Sequence, residues 1–216
     1  MKRVFGLFEA VFDIFYLAAA AVIGLLLLLG SHENLPRTLA GIMALVLAAG
    51  DAFHLLPRIK VIFTGNEEQS KRSLGRGKQI ASITMTIFYL ILWNIGLLVY
   101  TPYNMQGWSY VIYILAIIRI LLCLLPQNNW EERYPPVRWG ILRNAPFFMQ
   151  GMLVAGLFCI YGNAAQGIGI IYIAIILSFA FYLPVVLWAN KNPKIGILML
   201  PKTCAYLWMI AMCLSL

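Results

Sequence analysis

Long apolar runs separated by short polar connections make up almost all of this chain of 216 residues. A helix that crosses a hydrocarbon core of about 30 Å needs around 20 consecutive, mostly apolar residues. Seven stretches meet that requirement: Val4–Gly30, Thr38–Leu56, Ile80–Tyr100, Trp108–Leu125, Ile141–Tyr161, Gly167–Trp188 and Ile195–Leu216. The connections between them are too short for a second domain, so the pattern predicts one all-α polytopic membrane helical bundle with seven transmembrane helices, spanning residues 1–216.

The composition agrees with this interpretation. Hydrophobic side chains account for 62% of the residues and charged ones for 11%, against about 45–50% and about 25% in soluble domains. The first apolar run could be mistaken for a cleaved signal peptide, but it is interrupted by Glu9 and Asp13 and is too long for one. It is therefore expected to remain as a membrane-spanning helix.

The net charge of +8 is explained by topology and gives no reason to expect a nucleic-acid partner. Of the 16 lysines and arginines, 13 fall on one side of the predicted membrane. They are Lys2, Arg3, Arg58, Lys60, Lys71, Arg72, Arg76, Lys78, Arg133, Arg138, Arg143, Lys191 and Lys194. The other side has only Arg37, so the positive-inside rule predicts a cytoplasmic N-terminus and an external C-terminus in a multi-pass protein of the inner or plasma membrane.

The predicted spans contain ionisable residues, although a charge at the bilayer centre costs at least about 2.5–3.5 kcal/mol. They include Glu9, Asp13, Asp51, His54, Arg119 and Lys202. At 1.5 Å per residue, all of them fall at a similar depth in the cytoplasmic half of the membrane. Such residues normally face the protein interior, so one polar pocket open to the cytoplasm is expected.

The spacing of the polar residues on each helix supports a shared pocket. Glu9 and Asp13 are four residues apart, as are Lys202 and Tyr206 on the seventh span, and further polar stripes occur on the second, third and sixth spans. The candidate catalytic residues are Asp51, Asp13 and Glu9. The candidate substrate-binding residues are Arg119, Lys202, His54, Ser82, Thr86, Tyr89, Ser178, Tyr182 and Tyr206. Two structural alternatives remain open, namely a buried ion-pair network and hydroxyl groups that bond the carbonyls of their own helices.

Cysteine and histidine spacing gives no indication of a metal site. Cys123, Cys159, Cys204 and Cys213 all fall within spans with no close pair. Besides His54 the chain has only His32, which is in an outer connection. No metal ligand and no cofactor are therefore predicted.

One short motif resembles a known family. The stretch "GDAFHLLPR" at residues 50–58 is similar to the first signature of the YhhN-type lysoplasmalogenases, polytopic proteins that cleave the vinyl ether bond of lysoplasmalogens. The next span keeps Gly77 and Ser82 of the family pattern but has Ile83 where a histidine is expected. A second Ser-Asp motif would fall at Ser178 and Phe179, where phenylalanine replaces the acid. The loop "NNWEERYPPVRW" is also similar.

The resemblance covers Asp51 to the C-terminus, with seven helices where the family has eight. It implies a membrane lysolipid or ether lipid as the partner and an alkenyl ether hydrolase activity. Hydration of a vinyl ether needs a proton delivered to carbon and a water activated against the resulting oxocarbenium ion, which two carboxyl groups can provide. Asp51 would be one of them, and Glu9 or Asp13 would replace the missing second acid. Arg119 and Lys202 would bind a lipid phosphate.

Two other functions are compatible with the sequence. A small-solute or proton-coupled transporter of PQ-loop type is suggested by a possible 3+1+3 helix layout, by the dipeptide Pro126-Gln127 and by charges at depth. A weak similarity between "GDAFHLLPR" and "SFAFYLPVV" would fit such a repeat. A retinal protein is suggested only by Lys202 in the last span, and the predicted orientation argues against it. The sequence does not indicate an oligomeric state.

Overall fold

Seven α-helices form most of the protein in the computed structural model, which describes residues 2–132, 135–162 and 167–216. They are α1 (Lys2–Leu29), α2 (Leu35–Thr64), α3 (Glu67–Tyr100), α4 (Gln106–Leu124), α5 (Val137–Tyr161), α6 (Ile171–Trp188) and α7 (Met199–Met212). Short 3-10 helices cover Pro126–Asn128, Pro193–Leu198 and Cys213–Ser215. The described ranges contain no β-strand. The predicted all-α chain with seven long apolar helices is thereby confirmed, while the predicted basic residue Arg133 lies outside the described residues.

Each of the seven helical segments is long and apolar enough to cross a membrane, as expected of a multi-pass membrane protein. The seventh needs its flanking 3-10 turns to reach that length, from Lys194 to Ser215. Each helix packs against its neighbours in the chain, and α7 also packs against α1 and α2. The helices therefore form a closed ring.

Aromatic side chains fill the centre of this ring. Tyr89 of α3 is fully buried, with its ring 5.2 Å from that of Phe147 on α5 and 5.7 Å from that of Phe179 on α6. Phe88 and Tyr206 complete the cluster with edge-to-face contacts. Such pairs add about 0.5–1.5 kcal/mol each beyond the apolar area they bury. The bundle is thus closed through its middle.

The second and third helices are longer than the apolar pattern predicts. The predicted apolar stretches end at Leu56 and begin at Ile80, whereas α2 continues to Thr64 and α3 already begins at Glu67. Gly65 ends α2 in the left-handed conformation, with φ of 71°, and the Asn66 side chain accepts from the Gln69 amide to cap α3. The expected basic loop is therefore a helical hairpin.

Pro57 lies inside α2 and does not end the helix. A proline removes the hydrogen bond to the carbonyl four residues earlier, here that of Phe53. Gly77 of α3 lies directly against this carbonyl and against Cα of His54, so close that an added Cβ would overlap both. A few residues earlier in α2, Gly50 lies against the Thr84 side chain in the same way. These two glycines bring the helix backbones together, as small residues commonly do in membrane proteins.

Contacts between connections show which helix ends lie on the same side of the bundle. An ion pair joins Glu9 near the start of α1 to Arg58 near the end of α2. Gly75 near the start of α3 packs against Glu131 after α4. The Asn190 side chain after α6 donates to the Pro135 carbonyl at 3.0 Å. We call this side the basic end, because it contains all the described lysines and arginines except Arg37, Arg119 and Lys202.

We expect Gly77→Ala to destabilise the protein. The added methyl group would meet the Phe53 backbone, which cannot move aside as a side chain can, and overpacking of this kind typically costs about 1–3 kcal/mol. Thermal unfolding of the purified protein in detergent would show a lower midpoint.

Gly156→Ala on α5 is the matched control, since nothing lies within 4 Å of an added Cβ there. Alanine is the better helix former by up to about 1 kcal/mol, so this variant should unfold at the same temperature or higher. Equal midpoints for both variants would contradict the proposed close contact.

Candidate functional site

A small polar cleft lies between α1, α2 and α7 near the basic end. Its volume is about 70 Å³, which is room for a few water molecules. The polar and charged residues that line it are Glu9, Asp13, Asp51, His54, Arg58, Lys202 and Thr203. Three of the helices therefore contribute acids and bases to one space.

The first helix brings its polar residues to the cleft at helical spacing. Glu9 lies toward the basic end and pairs with Arg58 of α2. Asp13, one turn further, is buried with 5% of its surface exposed. Tyr16, on the same face, donates from its hydroxyl to Asp51 Oδ2 at 2.6 Å. This short bond fixes the Asp51 carboxyl group between α1 and α2.

The Lys202 side chain of α7 enters the cleft from the opposite wall. Its ammonium group lies 4.6 Å from the ring centroid of Tyr182 and 5.2 Å from that of Tyr206, within the range of cation–π attraction. It also interacts electrostatically with Asp51. In the described part of the chain Lys202 forms no ion pair within 4 Å.

Two buried polar atoms of the cleft have no hydrogen-bond partner among the described residues. They are Asp13 Oδ2 and His54 Nδ1. A buried polar group left without a partner costs about 1–3 kcal/mol, so most such groups in proteins are bonded to protein, water or ligand. A network whose only role is to hold helices together would be expected to pair these atoms. The cleft therefore has free donor and acceptor capacity for a ligand or for water.

Arg119 is placed elsewhere, which corrects the expectation of a single chamber shared by all the buried charges. It is 1% exposed and does not line the cleft. Its guanidinium donates to the Ser82 carbonyl at 3.4 Å and to Asn144 Oδ1 at 3.3 Å, and stacks on the Phe147 ring at 3.5 Å. The α4 face that carries Arg119 packs between α3 and α5 and is separated from α1 and α2.

The predicted hydroxyl residues also lie outside the cleft, and Thr86 and Ser178 are buried in the core. Ser82 donates to the Lys78 carbonyl, Thr86 to the Ser82 carbonyl and Ser178 to the Ile175 carbonyl. These are bonds within their own helices, as the structural alternative expects. The Tyr89 hydroxyl lies 3.4 Å from that of Ser178 and 3.5 Å from that of Tyr206. Of the aromatic candidates, only Tyr182 and Tyr206 reach the cleft, through Lys202.

Sequence reasoning missed two residues that organise these clusters. Tyr16 continues the spacing of Glu9 and Asp13 by one more turn, and this was the available signal. Asn144 accepts from both Arg119 and the Tyr182 hydroxyl, the latter at 3.0 Å. The only sequence signal for Asn144 was its position as an asparagine inside an apolar span.

No protein-family model matches the chain, and comparison with curated proteins and with solved structures found no match.

We expect Tyr16→Phe to lower the free energy of unfolding by about 1–3 kcal/mol, because it leaves Asp51 Oδ2 without its donor in a partly buried site. Thermal unfolding in detergent measures the change. Tyr110→Phe, at an exposed position on α4, should unfold like the wild type. If Tyr16→Phe also unfolds like the wild type, the bond between α1 and α2 does not contribute to stability.

Proposed function

We propose that this chain is a multi-pass protein of the inner or plasma membrane with its N-terminus in the cytoplasm, and that its cleft hydrolyses the vinyl ether bond of a lysoplasmalogen-type lipid. The observation that carries the proposal is the meeting of Asp13, Asp51, His54 and Lys202 in one cleft with free hydrogen-bonding capacity. The motif from Gly50 to Arg58, which resembles the lysoplasmalogenase signature, supplies four of the cleft residues.

The two aspartates differ in their hydrogen bonding, and the reaction needs two carboxyl groups with different roles. Asp13 has an oxygen without a partner and is suited to deliver a proton to the vinyl carbon. Asp51 is fixed by Tyr16 and is suited to activate the water that adds to the resulting oxocarbenium carbon. The hemiacetal formed then separates into a fatty aldehyde and the alcohol that carries the headgroup. The overall reaction consumes one water and no other reactant.

Lys202 and Arg58 are the cations that line the cleft and could meet an anionic headgroup, and Arg58 also pairs with Glu9. Both line the cleft, whereas Arg119 is enclosed in the core and takes no part in the proposal. Cations held in a site of low dielectric suit a phosphate. With a volume of about 70 Å³ the cleft can receive the ether linkage but not a lipid tail. The tail would remain in the membrane, next to exposed apolar side chains such as Ile197 at the cleft edge.

A proton-coupled carrier of a small solute is the second candidate, and the small cleft volume is the observation that favours it. Carboxyl and imidazole groups buried within the membrane are typical of proton relays in transporters. Asp13 and His54, with their unpartnered atoms, would be the groups that exchange protons.

We expect Asp51→Asn to lower hydrolysis of an alkenyl lysophospholipid by at least ~100-fold, because general acid or base catalysis contributes about 10²–10⁴. The assay is release of fatty aldehyde by the purified protein, with the saturated alkyl ether as a substrate that must not react. Glu33→Gln, an exposed change at the other end of the bundle, is the control and should retain full activity.

Size-exclusion elution establishes that each variant is folded before its activity is compared. An Asp51→Asn protein as active as the wild type would contradict the assignment of the residue. A wild-type protein that releases no aldehyde, yet moves protons into proteoliposomes when a gradient and a solute are supplied, would replace hydrolysis by transport.

The proposed orientation predicts which side of the membrane each connection occupies. In a protein whose four cysteines are replaced, a membrane-impermeant maleimide added to intact cells should label Tyr103→Cys but not Lys60→Cys. Both positions are exposed, at opposite ends of the bundle. Lys60→Cys should react only after permeabilisation, and the reverse pattern would show that the orientation is wrong.

A further inference from the structure

A second concave site lies at the basic end, on the side of the bundle formed by α3 and α4. We call it the α3–α4 groove. It has a volume of about 510 Å³ and is formed by the start of α3, the end of α4 and the connection toward α5. The residues that matter for its chemistry are Lys71, Arg76, Leu124, Trp130, Glu131 and Glu132. None of the residues that line the groove lines the small polar cleft.

The groove is held in shape by specific contacts. Gln79 of α3 and Trp130 of the connection both donate to the Cys123 carbonyl, at 3.1 and 3.0 Å. The Glu131 backbone lies so close to Gly75 that an added Cβ would be 3.0 Å from its nitrogen. The Arg143 guanidinium lies 4.2 Å from the centroid of the Trp130 ring. These contacts fix Trp130 and Glu131 against α3 and α4, so the groove is preformed.

Charges of both signs line the groove. Lys71 and Arg76 are exposed on α3, and Glu131 and Glu132 are exposed on the connection. Within residues 2–132, where all four lie, none of them forms an ion pair closer than 4 Å. A purely anionic ligand would meet two cations and also two carboxylates. A ligand with a positive and a negative group would find a partner for each.

An apolar stripe leads from the groove along the outside of α4. Leu124 lines the groove and is 56% exposed, and Leu121, Ile117 and Ile114 follow at helical spacing, each at least 55% exposed. All four lie in a segment apolar enough to cross a membrane. A lipid tail packed along this stripe would place its headgroup in the groove.

We propose that the α3–α4 groove binds a phospholipid whose headgroup carries both a phosphate and a primary ammonium, as phosphatidylethanolamine does. Lys71 and Arg76 bind the phosphate, because basic side chains near a membrane surface attract the anionic groups of lipids. Glu131 and Glu132 accept hydrogen bonds from the ammonium. The tail lies along α4. This site is independent of the proposed hydrolysis, because its residues and its ligand play no part in that reaction.

The test is native mass spectrometry of the whole protein, released from detergent with lipids that share the same tails. The three lipids are phosphatidylethanolamine, phosphatidylglycerol and phosphatidylcholine. The wild type should retain phosphatidylethanolamine best, because phosphatidylglycerol lacks the ammonium and the methylated ammonium of phosphatidylcholine cannot donate hydrogen bonds. Equal retention of all three lipids would overturn the proposal.

Two double variants separate the roles of the charges. Glu131→Gln with Glu132→Gln should reduce retention of phosphatidylethanolamine by up to about fivefold, the limit for exposed ion pairs, and should not reduce that of phosphatidylglycerol. Lys71→Gln with Arg76→Gln should reduce retention of both lipids. Lys191→Gln, an exposed change after α6, is the control and should change neither. A preference for ethanolamine that survives the loss of both carboxylates would refute the site.

Discussion

The close contact between α2 and α3 is the interaction on which the candidate site depends. Gly50 and Gly77 allow the two helices to approach until backbone meets backbone at Phe53 and His54. With α2 held in this way, the neighbouring Asp51 is directed toward Tyr16 of α1. A carboxyl group in a membrane must face protein or water, and this contact determines which protein surface Asp51 faces. The same contact places Gly77 against the Phe53 carbonyl, which Pro57 leaves without its helical donor.

The fold could be predicted from the sequence where the bilayer itself imposes the pattern. All seven apolar segments were found, because the length of a spanning helix is set by membrane thickness. The ends of α2 and α3 were missed, because a helix that continues beyond the apolar region carries polar residues and has no hydropathy signal. The local signals were present at Gly65 and Asn66, which are typical helix-ending and helix-capping residues.

The sequence predicted which site residues share one face of a helix, but it did not predict which helices pack together. Residues four apart on one helix share a face, so Glu9 with Asp13, and Lys202 with Tyr206, were paired correctly. Depth in the membrane gave no information about which helices are neighbours. Arg119 packs against Phe147 of α5 and does not line the cleft that contains the carboxylates of α1 and α2. Grouping residues from different helices needs the packing order, which one sequence does not contain.

The buried guanidinium and the cleft are nevertheless connected through Tyr182. Its ring faces the Lys202 ammonium, while its hydroxyl donates to Asn144 Oδ1, which also accepts from Arg119. Arg119 has no carboxylate partner among the described residues and is balanced by carbonyl dipoles and by the face of Phe147. Carbonyls and an aromatic face compensate a buried charge without neutralising it, so the core keeps a fixed positive charge behind Tyr182. A fixed charge in a medium of low dielectric acts over a longer range than one in water. The core of the bundle therefore contributes both to the position of Lys202 and to the potential in the cleft, although Arg119 itself never reaches it.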